Sequence, residues 1–334
     1  MDQCRKFHFW MAVLAALILL GSLLALCLGQ FRIAPERVLR ELFVESGADN
    51  VHTTVFNIRL PRIGMALLAG AGLAASGAAF QSLFANPLAT PDTLGVANGA
   101  SFGAALGLLL GGGAAEVQGL ALVFGAAAVL LVFAVTRGMG ERRPSMLLVI
   151  LAGMVISSLF SALVSLVKYV ADPQDVLPVI TFWLMGRLSG VTRASMLLSV
   201  PLIAAGTLLI YLLRFRLNAL SLSEEEAMAL GVDLRRLRAL VIAAAAMTTA
   251  AVVSVCGVIG WVGLLIPHIA RMAFGNDNRR VVPFSILAGA LFLLVVDTVA
   301  RCVSAAEIPV SILTSVIGAP VFILLLRKTG GLRI

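Results

Sequence analysis

The densest charge in this chain is a run of three carboxylates, Glu224, Glu225 and Glu226, followed within one segment, Leu217 to Arg238, by Arg235, Arg236 and Arg238. The sequence on both sides is apolar, and burying such a cluster in hydrocarbon would cost several kcal/mol, so the segment lies in water between two membrane blocks. Its local chemistry predicts a short helix. Ser223 suits the N-cap, Glu226 three residues on completes a capping box, and Gly231 suits the left-handed position just past the end. Leu220, Leu222, Ala227 and Leu230 are then left to be buried. Taken alone, the segment reads either as an amphipathic connector resting on headgroups or as a knob for a soluble partner.

Other residues able to do chemistry are few. Asp297 stands inside an apolar run with Arg301 one turn later on the same helix face, where a structural ion pair can form. The isolated mid-membrane carboxylates of a proton- or sodium-driven carrier are missing, which disfavours a stand-alone secondary carrier or channel. No Gly-x-x-x-x-Gly-Lys-Ser/Thr loop is present to hold a nucleotide phosphate, so any energy enters through a partner. Cys4, Cys27, Cys256 and Cys302 are scattered without paired spacing, and His8, His52 and His268 are equally dispersed. Neither a metal site nor a disulfide framework is expected. An integral membrane enzyme has no nucleophile, base or metal constellation to support it.

The elements that carry these residues follow from composition. With 60% hydrophobic and 13% charged residues and a mean hydropathy of +1.03, the chain has about half the charge of a soluble domain. It reads as a single polytopic, all-α transmembrane domain over residues 1–334. The net charge of +8 does not indicate nucleic acid, because the arginines sit in the connections between apolar runs, as topology signals do.

The expected spans are Phe7 to Leu28, Arg59 to Phe84, Leu94 to Leu110, Val117 to Val135, Met146 to Val167, Ala194 to Leu213, Ala239 to Cys256, Gly260 to Phe274, Pro283 to Val303 and Ile308 to Leu326. That makes about ten transmembrane helices. Val179 to Leu188 is too short to cross and should lie in the interface or re-enter. Arg5, Lys6, Arg142, Arg143, Arg235, Arg236, Arg279 and Arg333 fall on the side of the termini, which the positive-inside rule makes cytoplasmic.

Small residues form the commonest pattern within the spans. Gly95, Gly99, Gly103, Gly107 and Gly111 recur at every fourth position, as do Gly70, Ala74 and Ala78. Such faces let helix backbones touch where no hydrophobic effect acts between them. Ser157, Ser161 and Ser165, with Gly153, make a similar stripe that carries hydroxyls, suited to packing or to the wall of a polar passage. A fixed offset also relates Gly77, Pro87 and Gly95 to Gly257, Pro267 and Gly275, which hints at an inverted repeat.

Read in order, Arg59-Leu-Pro-Arg62, Asn86-Pro-Leu-Ala, Leu94-Gly-Val, Glu226-Ala-Met-Ala-Leu-Gly231, Ile259-Gly-Trp-Val-Gly-Leu-Leu-Ile-Pro-His-Ile-Ala-Arg271, Glu307-Ile-Pro-Val and Ile317-Gly-Ala-Pro320 resemble the FecCD family. Its members are permease subunits of ATP-binding-cassette importers for ferric siderophores, heme and vitamin B12. The resemblance implies a fold like the vitamin B12 importer permease, a type II ABC importer, in a prokaryotic cytoplasmic membrane. It implies a homodimer with cytoplasmic ATPases, which use ATP and magnesium, on one side and a soluble or lipid-anchored binding protein on the other; the chain itself would bind no cofactor.

Carried over residue by residue, Ser223, Glu224, Glu225, Glu226, Ala227, Leu230 and Gly231 match the coupling helices on which the ATPase docks. Asn86 and Leu88 match the loop closing the cytoplasmic exit. Ser157, Ser161 and Ser165 match a helix lining the central passage, and Arg59, Arg62 and Arg301 match outward-facing arginines that meet acidic residues of the binding protein. A ferric chelate is the family's commonest substrate. Tyr169 to Leu188 together with Ile259-Gly-Trp-Val-Gly also resembles a branch that includes molybdate and tungstate permeases.

Overall fold

Long apolar stretches separated by capped, charged breaks fold as helices throughout. The computed structural model describes residues 3–43, 50–138, 146–304 and 306–328. Arg142, Arg143 and Arg333, used above to assign sidedness, lie outside them. Every regular element among the described residues is helical. Among the described residues, seven helices are long and apolar enough to cross a membrane: α1 (Gln3–Cys27), α4 (Leu60–Leu83, which continues a run from Asn50), α6 (Ala114–Gly138), α7 (Met146–Val170), α9 (Arg193–Leu213), α11 (Leu234–Cys256) and α13 (Asn278–Val303). Three shorter apolar helices, α5 (Val96–Leu109), α12 (Val262–Phe274) and α14 (Val310–Lys328), occupy the remaining expected spans. The connections hold α2 (Pro35–Phe43), α3 (Asn50–His52), α8 (Val176–Leu184) and α10 (Glu224–Ala229).

The run containing α4 is the centre of the bundle: 78% of its most apolar window is buried inside the protein, against 17% for α1 at the periphery. Small residues make that burial possible. A Cβ on Gly70 would collide with the Gly289 carbonyl of α13, one on Gly77 with the Gly263 carbonyl of α12, and one on Gly103 with the Leu120 carbonyl of α6. The glycine stripes therefore serve backbone-to-backbone packing, where dispersion at close range substitutes for the absent hydrophobic drive.

Helices α5 and α12 are short because each begins part-way through the bundle. The chain leaves α4 at Leu83, turns, and forms a 3-10 turn at Pro91–Leu94; there Pro91 packs against Gly263 and the Thr93 carbonyl against Gly153 of α7. On the other side, α11 ends at Cys256 and the chain runs without helix to Trp261. Irregular backbone at that depth is tolerated only where protein or a cavity surrounds it. The two units, a long helix, a break and a short helix, run in opposite senses, since α4 starts at the end where α11 finishes. Their short helices both start from left-handed residues, Gly95 at φ 73° and Trp261 at φ 70°.

That arrangement corrects the residue pairing of the suggested repeat. Gly77 lies inside a helix whereas Gly257 closes one, and Pro87 lies in a turn whereas Pro267 lies in a helix. Gly95 pairs with Trp261 instead. The helix α8 tucks Ile180 and Trp183 into the protein and leaves Val179 and Phe182 exposed.

Candidate functional site

At one end of the bundle, the segment from Arg216 to Asp233 forms a compact platform. Ser223 caps α10: its hydroxyl accepts from the Glu226 amide at 3.2 Å, while the Glu226 carboxylate accepts from the Ser223 amide and hydroxyl, both at 3.0 Å. Those bonds hold the Glu226 carboxyl below the usual range for glutamate. The stabilisation is therefore complete above glutamate's unfolded pKa and is lost as pH falls through the lower folded value. At the other terminus the Gly231 amide donates to the Met228 carbonyl and the Val232 amide to the Ala227 carbonyl, each at 2.9 Å, with Gly231 at φ 72°. This is a Schellman closure, and Val232 packs on the cluster containing Ala227.

The platform buries Leu220 and Ala227 and half-buries Leu222, as the sequence suggests. It does not bury Leu230. Leu230 is 68% exposed and Met228 65%, because the Schellman turn directs the chain back at Leu230 and only the Ala227 side of so short a helix meets the bundle. The exposed surface thus combines two large apolar side chains with Glu225 and Glu226. Glu224 opens the helix.

Hydrogen bonds fasten this platform to the spans. The Asn218 side-chain oxygen Oδ1 accepts from the Asn278 backbone amide and from Asn278 Nδ2, both at 2.9 Å, and Asn218 Nδ2 donates to Asp277 Oδ1 at 2.8 Å. Asn278 accepts from the Ser82 hydroxyl at 2.9 Å, and Ser82 accepts from Arg271 at 2.9 Å. Arg271 also donates to Gln81 at 3.2 Å and to the Ala78 carbonyl at 3.1 Å. The chain of bonds links the platform to α13, α4 and α12. Its residues are spread from Gln81 to Asn278, so only their polarity inside apolar runs could have flagged them.

Asn86 and Leu88 lie at the same end, just beyond α4. Asn86 accepts from the Leu88 amide at 2.9 Å in an Asx turn, which holds the exposed Leu88 clear of the bundle. The serine stripe of α7 is divided. Ser157 is half-buried and accepts from the Asn98 side chain of α5, whereas Ser161 and Ser165 are exposed, with the Ser165 hydroxyl donating back to the Ser161 carbonyl at 3.0 Å. Leu151, Val155 and Leu166 of the same helix are exposed as well, and α7 carries no charge before Lys168.

Arg59, Arg62 and Arg301 come together at the opposite end, but not as an outward face. All three are turned inward, 4%, 5% and 4% exposed. Arg62 grips Asp297 through Nε at 3.0 Å and Nη2 at 2.8 Å, and reaches Glu307 through Nη1 at 3.0 Å. Arg301 donates to the Ala25 carbonyl at 2.6 Å and stands 4.0 Å from Asp297. Arg59 donates to the carbonyls of Leu26 and Phe31. The expected Asp297–Arg301 pair is thus secondary to Arg62–Asp297, because the two-pronged guanidinium of Arg62 fits the carboxylate side-on. The three guanidiniums fasten α1, α4 and α13 together. Beside them a cavity of about 310 Å³ is lined by Gln30, Arg62, Arg187, Phe182, Glu307 and Val310, among others.

Among the described residues no group of three or more His, Cys, Asp or Glu could hold a metal ion.

Residues 17–328 match the model of the FecCD transport family. The chain is 40% identical, over 94% of each chain, to the molybdate import system permease protein MolB of Haemophilus influenzae. It is 36% identical to a probable iron chelatin transport system permease of Helicobacter pylori, over 98% of this chain and 99% of the relative. To the vitamin B12 import system permease BtuC of Salmonella schwarzengrund it is 39% identical, over 98% of each. Among solved structures, a metal-chelate type ABC transporter in an inward-facing conformation superposes with a TM-score of 0.86 at 39% identity, covering 95% of this chain and 98% of that one. The described helices, the capped platform between two membrane blocks and these matches agree: the chain belongs to the FecCD transport family, the multi-pass permease subunits of ABC importers, which lack an ATPase of their own.

Proposed function

We propose that this permease works as a homodimer in a prokaryotic cytoplasmic membrane, with both termini cytoplasmic, and moves a metal chelate, foremost a ferric siderophore, inward along a passage lined by α7. A separate ATPase docks on α10, and a binding protein delivers the chelate at the other end. The observation that carries this reading is the bonded chain from the platform through Asn218, Asn278, Ser82 and Arg271 into α4, α12 and α13. A partner that moves α10 moves those helices with it. The exposed Met228 and Leu230 supply the apolar anchor for such docking.

The exposed, uncharged face of α7 around Ser161 and Ser165 favours a bulky chelate, whose surface needs hydroxyl and aliphatic contacts, over a small dianion, which needs cationic or N–H donors. Asn86 and Leu88 act as the cytoplasmic constriction. A second reading, molybdate or tungstate, is favoured by the 40% identity to the Haemophilus influenzae relative. The deciding experiment deletes this chain and supplies ferric siderophore, heme, cobalamin or molybdate singly as the limiting nutrient. Loss of growth on a ferric siderophore alone supports the reading; loss on molybdate alone replaces it with the second.

A further inference from the structure

Among the described residues, the helix α2 leaves large apolar side chains exposed. At about 100° per residue, Val38, Glu41 and Leu42 share one side; Val38 and Glu41 are buried, and Glu41 Oε2 lies 3.2 Å from His52 Nδ1. Glu36, Arg37 and Arg40 share the opposite, polar side. Between the two, Leu39 and Phe43 stand together on a flank, 46% and 81% exposed. Phe31, just before the helix, is exposed as well.

The surroundings of α2 identify what covers that flank. The helix packs on α1 and α3, at the edge of the bundle. The outer side of α1 exposes Leu19, Leu20, Leu23 and Leu24, and this strip continues through Leu28 to Phe31. In a membrane permease such a strip faces acyl chains. The apolar flank of α2 therefore continues a lipid-facing surface at the level where the span ends, with the exposed Arg32 and Arg40 beside it.

We propose that α2 is an interfacial anchor. It lies along the bilayer surface at the end opposite the platform, with Phe31, Leu39 and Phe43 sunk about 5–10 Å into the headgroup and acyl boundary, and Arg32 and Arg40 reaching lipid phosphates. Arg59 gives the anchor a task. Its guanidinium binds the carbonyls of Leu26 and Phe31, so the turn that carries the anchor is fastened to the start of α4, and lipid contact sets the height of that end in the membrane. The proposal rests on family membership and not on the substrate.

The test places a nitroxide at positions 36, 39, 40 and 43, one at a time, in a cysteine-replaced protein reconstituted into nanodiscs of phosphatidylglycerol and phosphatidylethanolamine. Power saturation then compares accessibility to oxygen, which partitions into lipid, with that to a water-soluble nickel chelate. Labels at Leu19 and Leu20 give the lipid reference and a label at Glu225 the water reference. Variants that keep the elution profile of the unlabelled protein are read. The expected result is an oxygen-to-nickel ratio several-fold higher at 39 and 43 than at 36 and 40. If 39 and 43 resemble Glu225 while 19 and 20 report lipid, the anchor is refuted and the membrane assignment stands. If 39 and 43 are open to water and become shielded only on adding the binding protein, the flank is a protein-docking surface and the proposal likewise falls.

Discussion

Replacing Asp297 with Asn should cost more stability than any other single charge removal at its end of the bundle. Three guanidiniums, Arg59, Arg62 and Arg301, are at least nine-tenths buried there; Asp297 and Glu307 stand against Arg62 and Arg301, while Arg59 rests on backbone carbonyls. Asp297 is completely buried and takes Nε and Nη2 of Arg62 at 2.8–3.0 Å. Asn keeps one acceptor oxygen but brings an amide donor against the guanidinium and leaves Arg62 and Arg301 short of charge. Uncovering a buried ion in this way costs about 3–5 kcal/mol. Glu307 is the internal control, because its side chain is 29% exposed and water screens what it loses, so Glu307→Gln should cost about 1 kcal/mol or less. The assay is unfolding of the detergent-purified protein by dodecyl sulfate titration, read from the fluorescence of Trp10, Trp183 and Trp261. A cycle with Arg62→Met should give a coupling energy of about 2–3 kcal/mol for the pair. Equal losses for Asp297→Asn and Glu307→Gln would refute the argument that this carboxylate is the keystone of the cluster.

Gly231→Val should leave the protein inserted but reduce coupled transport in proteoliposomes. No heavy atom lies within 4 Å of the added Cβ, so the cost is the left-handed backbone, about 1–2 kcal/mol, concentrated at the docking helix; uptake per ATP equal to that of the parent would count against it. Gly77→Leu should abolish stable insertion, since even a Cβ meets the Gly263 carbonyl, and a normal gel-filtration profile would contradict the close crossing. Single cysteines at Glu225 and Gln174, both exposed, should be labelled by a membrane-impermeant maleimide only from the cytoplasm and only from outside respectively, and reversed labelling would overturn the orientation.

Local grammar was legible in the sequence. Ser223, Glu226 and Gly231 announce a capped helix because each acts through its own backbone neighbours, and the glycine stripes announce close crossings because one face of a helix is set by spacing alone. What could not be read was pairing across distance. The i, i+4 rule offered Arg301 to Asp297, but the better-shaped partner, Arg62, lies 235 residues away and meets it only once α4 and α13 cross at Gly70 and Gly289. For the same reason the burial of Arg59, Arg62 and Arg301 was not legible, since burial is a property of the assembled bundle. The exposure of Leu230 was missed because apolarity marks a residue that must be covered, without saying whether its own chain or another covers it.

The helices α4 and α13, which cross through glycine, are pinned to each other at both ends: Ser82–Asn278 beside the platform and Arg62–Asp297 at the far side. In mechanical terms they form a braced strut. At 24 and 26 residues each is about 36–39 Å long, and a strut braced at both ends resists shear, so a push at its foot emerges as rotation of the whole. By that geometry a tilt of about 4° swings the far end through roughly 3 Å. Motion at the platform would then reach the mouth by leverage, without any helix having to bend.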